Sequence, residues 1–92
     1  MQIFDAIKSH FIKKKFHVKK IGLFGSAARG EAKENSDLDF LVEFEDGFET
    51  FDNYMELKFY LEELFQRKID LVTIDALRPQ MKAAILAEVL YA

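Results

Sequence analysis

The chain has 92 residues, half of them hydrophobic and about a third charged, with ten phenylalanines and no cysteine. This is globular composition, and its length leads to the expectation of a single domain over residues 1–92. Disulfides, thiolate catalysis and cysteine-based zinc sites are excluded, and a net charge of −3 argues against a general nucleic-acid binder, which normally spreads positive charge over a whole face. The first thirty residues hold six lysines and no apolar run long enough for a signal peptide or membrane span, so the expected location is the cytoplasm.

In chain order, Ile3, Phe4, Ile7, Phe11 and Ile12 fall at helical spacing and predict an amphipathic helix over residues 2–16. Its end, Lys13-Lys14-Lys15, suits a helix C-terminus and reads as a solvated cap. Val18 to Phe24 is a β-branched and apolar run, the first strand, stopped by Gly25-Ser26 where the chain must turn sharply. Ser26 is placed to cap a short helix through Ala27, Ala28 and Arg29. Lys33 to Ser36 is polar and turn-like. Leu38 to Phe44 then alternates as a second strand and stops at Asp46-Gly47.

Phe51, Tyr54, Leu57, Leu61, Leu64 and Phe65 recur three and four apart and predict a long amphipathic helix capped near Thr50. Ile69 to Thr73 is a short third strand. Pro79 fits the first turn of a last helix whose apolar residues Met81, Ile85, Leu86, Val89 and Leu90 cover more than one face. The order α-β-α-β-α-β-α implies an α/β fold (α+β in the broader sense), a small sheet covered by helices.

The chemistry lies in three short pieces. Leu23-Phe24-Gly25-Ser26 is followed after ten residues by Asp37-Leu38-Asp39-Phe40, and then by Ile69-Asp70-Leu71. Residues two apart on a strand share a side, so Asp37 and Asp39 become neighbours if Asp37 already lies in strand geometry, and Asp70 on the next strand can join them. Carboxylates about 4 Å apart repel by roughly 4 kcal/mol at an effective dielectric near 20, so a cation must offset them. All-oxygen donors favour magnesium, and a pair of such ions serves in-line displacement at phosphorus. Gly25 allows close backbone approach, Ser26 adds a hydroxyl, and Arg29 carries a fork suited to phosphate oxygens. These residues together form a candidate triphosphate site.

Simpler roles compete at several positions. Gly25-Ser26 alone is an ordinary turn with a cap, and Arg29 with Glu31 makes an ordinary surface ion pair. His10 and His17 lack zinc spacing, and Tyr54 and Tyr60 fit the core boundary. A P-loop is excluded, because Glu31 stands where that motif needs lysine after the second glycine, Gly30.

Joined in order, Phe24-Gly25-Ser26, Asp37-Leu38-Asp39 and Ile69-Asp70-Leu71 resemble the minimal nucleotidyltransferases of the DNA polymerase β superfamily, including the antitoxin partners of HEPN-domain toxins. The resemblance implies a small mixed sheet packed with helices and a metal-dependent transfer of AMP from ATP, or another nucleoside triphosphate, to a hydroxyl. It implies that Asp37, Asp39 and Asp70 are the catalytic and metal-binding residues, with two Mg2+ ions (Mn2+ as a substitute), and that Gly25 and Ser26 hold phosphates. It further implies a tyrosine of a HEPN-type partner as the acceptor. Two alternatives stand beside it: an antitoxin that neutralises its partner by contact alone, and transfer to a small molecule. The contact reading requires an apolar surface, for which the last helix is the candidate, in a homo- or hetero-oligomer.

Overall fold

A computed structural model describes residues 6–7, 10–31, 33 and 36–92. The first described helix, α1, covers His10–Lys15. It is followed by β1 (Val18–Phe24), the one-turn helix α2 (Gly25–Ala28), β2 (Leu38–Phe44), α3 (Phe51–Phe65) and β3 (Ile69–Thr73). A 3-10 turn at Ile74–Ala76 leads to α4 (Pro79–Glu88) and a two-residue strand β4 (Leu90–Tyr91). Ile3 and Phe4 of the expected first helix lie outside the described residues.

The sheet runs in the order β3-β2-β1-β4. β2 and β3 are parallel, whereas β1 is antiparallel to both β2 and β4, so the sheet is mixed as expected. The connection through α3 is what allows β2 and β3 to run the same way, since parallel neighbours need a crossover.

Leu38, Phe40, Val42 and Phe44 alternate along β2 and are buried in one core with Ile69 and Leu71 of β3, Ile12, Phe16, and Leu57 and Leu61 of α3. Sequence alternation fails in β1, where Lys19 and Lys20 are consecutive and both exposed. A register shift between Val18 and Lys20 resolves this. The extra residue of a bulge lets Val18 and Ile21 both point into the core. Thr50 caps α3 as expected, its hydroxyl accepting the Asn53 N–H at 3.2 Å.

Three expectations need correction. Ser26 is not the cap of α2: the helix starts two residues earlier than expected, with extended Phe24 at the cap position and no side-chain cap bond. Phe11 and Phe51 are not core residues, being 49% and 77% exposed; the helical stripe is wider than the strip the sheet can cover. The last helix ends at Glu88 and buries none of its residues, as the contact reading requires of it. Leu90, read as helical, instead pairs with Leu23 at the sheet edge.

Candidate active site

The three motifs meet at one end of the sheet. β1 and β2 pair so that Phe24 faces Asp39, and β2 and β3 pair so that Asp39 faces Asp70. Asp39 and Asp70 stand between core residues (Leu38 and Phe40, Ile69 and Leu71) in strands of period 2, so both project from the face opposite the core. Register alone therefore brings residues 39 and 70 side by side, with the Gly25 turn at the adjoining end of β1.

Gly25 has φ +73°, a left-handed conformation that favours glycine. A Cβ there would also fall 2.2 Å from Asp39 Oδ2. The Asp39 carboxylate thus lies directly over the Gly25 backbone, and any side chain at position 25 would displace it. Both constraints apply at once, which ties the glycine of the first motif to the second acid of the second.

Asp37 differs from the expectation. It precedes β2, which starts at Leu38, and it is exposed. The same-side argument from strand periodicity therefore does not place it. Hydrogen bonds just before it bear on its position instead: Lys33 N–H donates to Ser36 Oγ at 3.0 Å, Ser36 N–H donates to the Lys33 carbonyl at 3.0 Å, and the Arg67 guanidinium donates to that carbonyl too. Leu38 N–H, bonded to the Lys68 carbonyl at 3.1 Å, then starts the β2–β3 pairing.

Burial is the main influence that raises the Asp39 carboxyl above the usual aspartate range. The neighbouring Asp70 raises it further by charge and hydrogen bonding, Asp37 adds a smaller repulsion, and Arg29 opposes them. This mutual repulsion among oxygen donors is the electrostatic condition that a hard divalent cation relieves, and magnesium commonly takes one or two protein carboxylates. The donor set therefore fits such an ion. Among the described residues, no three acidic or imidazole side chains already converge as a cage; Asp39 and Asp70 are the adjacent pair, and Asp37 stands at the rim.

Arg29 joins the constellation from the end of α2. Its Nε donates to Glu31 Oε2 at 3.1 Å and its Nη1 to Glu88 Oε1 at 3.0 Å. The Glu31 hydrogen bond is the leading cause that raises its pKa, so the guanidinium stays charged. The ion pair read in sequence is present, and the Arg29 charge also acts on Asp39, where it opposes the rise.

Glu88 was not singled out in the sequence. The same Oε1 that meets Arg29 accepts the Gly25 N–H at 2.7 Å. One signal was available: an acid closing an apolar helix, at the end where the dipole disfavours negative charge, calls for a partner elsewhere. Tyr54 is half-buried, as expected of a boundary residue, and donates its hydroxyl to the Leu71 carbonyl. Burial raises its pKa, with a lesser contribution from Asp70. An open cleft of about 730 Å³ lies elsewhere, at the C-terminal ends of β2 and β3, and none of the three aspartates lines it.

A family described as the nucleotidyltransferase domain matches residues 5–92. A candidate protein adenylyltransferase of Methanocaldococcus jannaschii is 40% identical over 94 residues, covering 98% of this chain and 94% of that protein. The protein adenylyltransferase MntA of Thermococcus cleftensis is 42% identical over 80 residues, covering 87% and 80%. Among solved structures, a candidate minimal nucleotidyltransferase superposes with TM-score 0.81 at 37% identity, covering 94% of this chain and 85% of that one. A chain from the Shewanella oneidensis complex of a tri-AMPylated HEPN toxin with its MNT antitoxin shares the fold, with TM-score 0.68 at 19% identity over 99% of this chain and 71% of that one. The convergence of a Gly-Ser turn on a pair of strand-borne aspartates agrees with the sequence match over nearly the whole chain, and the protein is a member of the nucleotidyltransferase domain family, in its minimal form.

Proposed function

We propose that this nucleotidyltransferase transfers AMP from ATP to a tyrosine hydroxyl of a HEPN-type partner protein and acts as the antitoxin of a toxin–antitoxin pair. The observation that carries the reading is the placement of Gly25 directly against Asp39, with Asp70 beside it in register. Its chemical direction comes from relatives named protein adenylyltransferases and from the AMPylated HEPN toxin in the similar complex.

In this reading Gly25, Ser26 and Arg29 hold the β and γ phosphates, through a backbone N–H, a hydroxyl and a guanidinium fork respectively. Asp37, Asp39 and Asp70 would hold divalent cations, two magnesium ions by preference, and such ions would supply charge neutralisation at the phosphates and a more acidic acceptor hydroxyl. Asp70, exposed at the edge of the pair, orients that hydroxyl and takes its proton. The acceptor oxygen then bonds to the α-phosphorus as the bond to the bridging oxygen breaks, and pyrophosphate leaves. Asp39, half-buried, holds its carboxylate against the Gly25 backbone, next to the phosphates.

Intact-mass measurement of a purified HEPN-type partner, after incubation with this protein, ATP and magnesium, tests the proposal. The expected result is an increase by whole adenylyl units that is lost with Asp37→Asn/Asp39→Asn protein. A stable complex with no mass change would instead establish neutralisation by contact. One observation favours that second reading: Met81, Leu86, Leu90 and Tyr91 are 38–50% exposed on and just after α4, an apolar surface of the kind a partner would cover.

A further inference from the structure

Glu88 closes α4, where its own helix offers its charge no support: the dipole is unfavourable there and no basic residue lies in the last turn. Its stabilisation comes from groups 63 and 59 residues away in sequence, the Gly25 N–H and the Arg29 guanidinium, both on the single oxygen Oε1. These donors are two of those assigned to phosphate oxygens in the proposed function. A carboxylate oxygen and a phosphate oxygen are alike as charged acceptors for such donors. The Gly25 amide has only one hydrogen, and two anions in contact with Arg29 would repel each other.

We propose that Glu88 is an internal competitor for the nucleotide: its carboxylate occupies the Gly25 N–H and the Arg29 guanidinium, and a triphosphate takes these donors only by displacing it. The inference rests on the reading of Gly25, Ser26 and Arg29 as phosphate ligands. The Glu88 side chain is 34% exposed, which leaves it an outward path, and Arg29 keeps its Nε bond to Glu31 when Glu88 leaves. Glu88 therefore sets nucleotide affinity while remaining outside the reacting groups.

The opposite role, in which Glu88 holds Arg29 in place for phosphate, predicts the opposite sign. Binding of ATP with magnesium, and of inorganic triphosphate alone, is measured by calorimetry on the full chain and its Glu88→Gln, Glu88→Asp and Glu31→Gln variants. Glu88→Gln is expected to tighten both ligands by about fivefold, the scale of removing one like charge from a partly solvated site. Glu88→Asp keeps the charge but is shorter by one methylene, and is expected to tighten binding less. Should glutamine at 88 disturb folding, the aspartate variant carries the same test. Unchanged or weaker binding in both Glu88 variants would overturn the inference. So would equal tightening by Glu31→Gln, which changes the net charge equally but leaves Gly25 alone. If the parent chain binds neither ATP nor triphosphate, the phosphate reading of Gly25 itself fails, an outcome separable from the others because it appears before any substitution.

Discussion

Asp39 carries the clearest conflict in the molecule, because a half-buried carboxyl faces Asp70 across one strand pair and the Gly25 backbone across the other. Its pKa lies above the ordinary value, so the folded chain holds that proton more tightly than the unfolded chain. The resulting stabilisation is full below the unfolded aspartate pKa of about 3.9 and is lost as pH rises through the raised folded value. In metal-free buffer, Asp39→Asn should therefore melt higher than the parent at pH 7, by about one degree, since solvent screens much of the repulsion on this partly exposed carboxyl. The difference should shrink to nothing as pH falls below about 4. A melting series from pH 3 to 8 checks this, and a variant less stable than the parent at pH 7 would contradict the assigned repulsion. At this scale the sequence was most legible where spacing maps onto register. Asp39 and Asp70 meet because each sits one residue inside its strand, between residues bound for the core. Asp37 was less legible: it lies outside the strand, after hydrogen bonds among Lys33, Ser36 and Arg67 that no periodicity encodes.

Among the elements, the smallest strand reaches the site indirectly. β4 contributes two residues, yet it anchors the end of α4 against β1, with Ala92 N–H donating to the Ile21 carbonyl at 2.9 Å just beyond it. Gly22 makes this approach close: a Cβ there would meet Val89 Cγ2 at 2.6 Å and the Leu90 carbonyl oxygen at 3.0 Å. Gly22→Val should therefore unseat β4, seen as faster amide exchange at residues 89–92 in hydrogen-exchange mass spectrometry, while the α3 core around Leu57 and Leu61 stays protected. Unaltered exchange at residues 89–92 would show that β4 does not depend on the glycine. Strands β2 and β3 and the Thr50 cap were readable because local pattern and tertiary burial agree there, whereas β1 was readable from its apolar residues and the Gly25 stop while its bulge was not. β4 was not readable because Leu90 follows an apolar helical run without a break. Only the edge of β1, left open beside Gly22, explains why the chain straightens at Val89.

Across the whole molecule, burial is one-sided. α1 and α3 supply the core with the sheet, whereas α4 buries nothing and holds Met81 and Leu86 half-exposed. No helix among the described residues is long and apolar enough to cross a membrane. Leu86→Asp tests whether this surface is the partner interface. Because Leu86 is 38% exposed, the variant should fold with a melting temperature close to the parent's. It should weaken association with a HEPN-type partner by about tenfold or more, as loss of an apolar anchor does. Titration of the partner by calorimetry measures it, and an unchanged affinity would place the interface elsewhere. α4 also has a second aspect. It exposes Met81 and Leu86, and its last residue holds the Gly25 amide, so under the two proposals above the helix would link two binding events. Free energies of binding are reciprocal: whatever factor a molecule seated on α4 imposes on affinity at Gly25, a ligand at Gly25 imposes on the seating of that molecule.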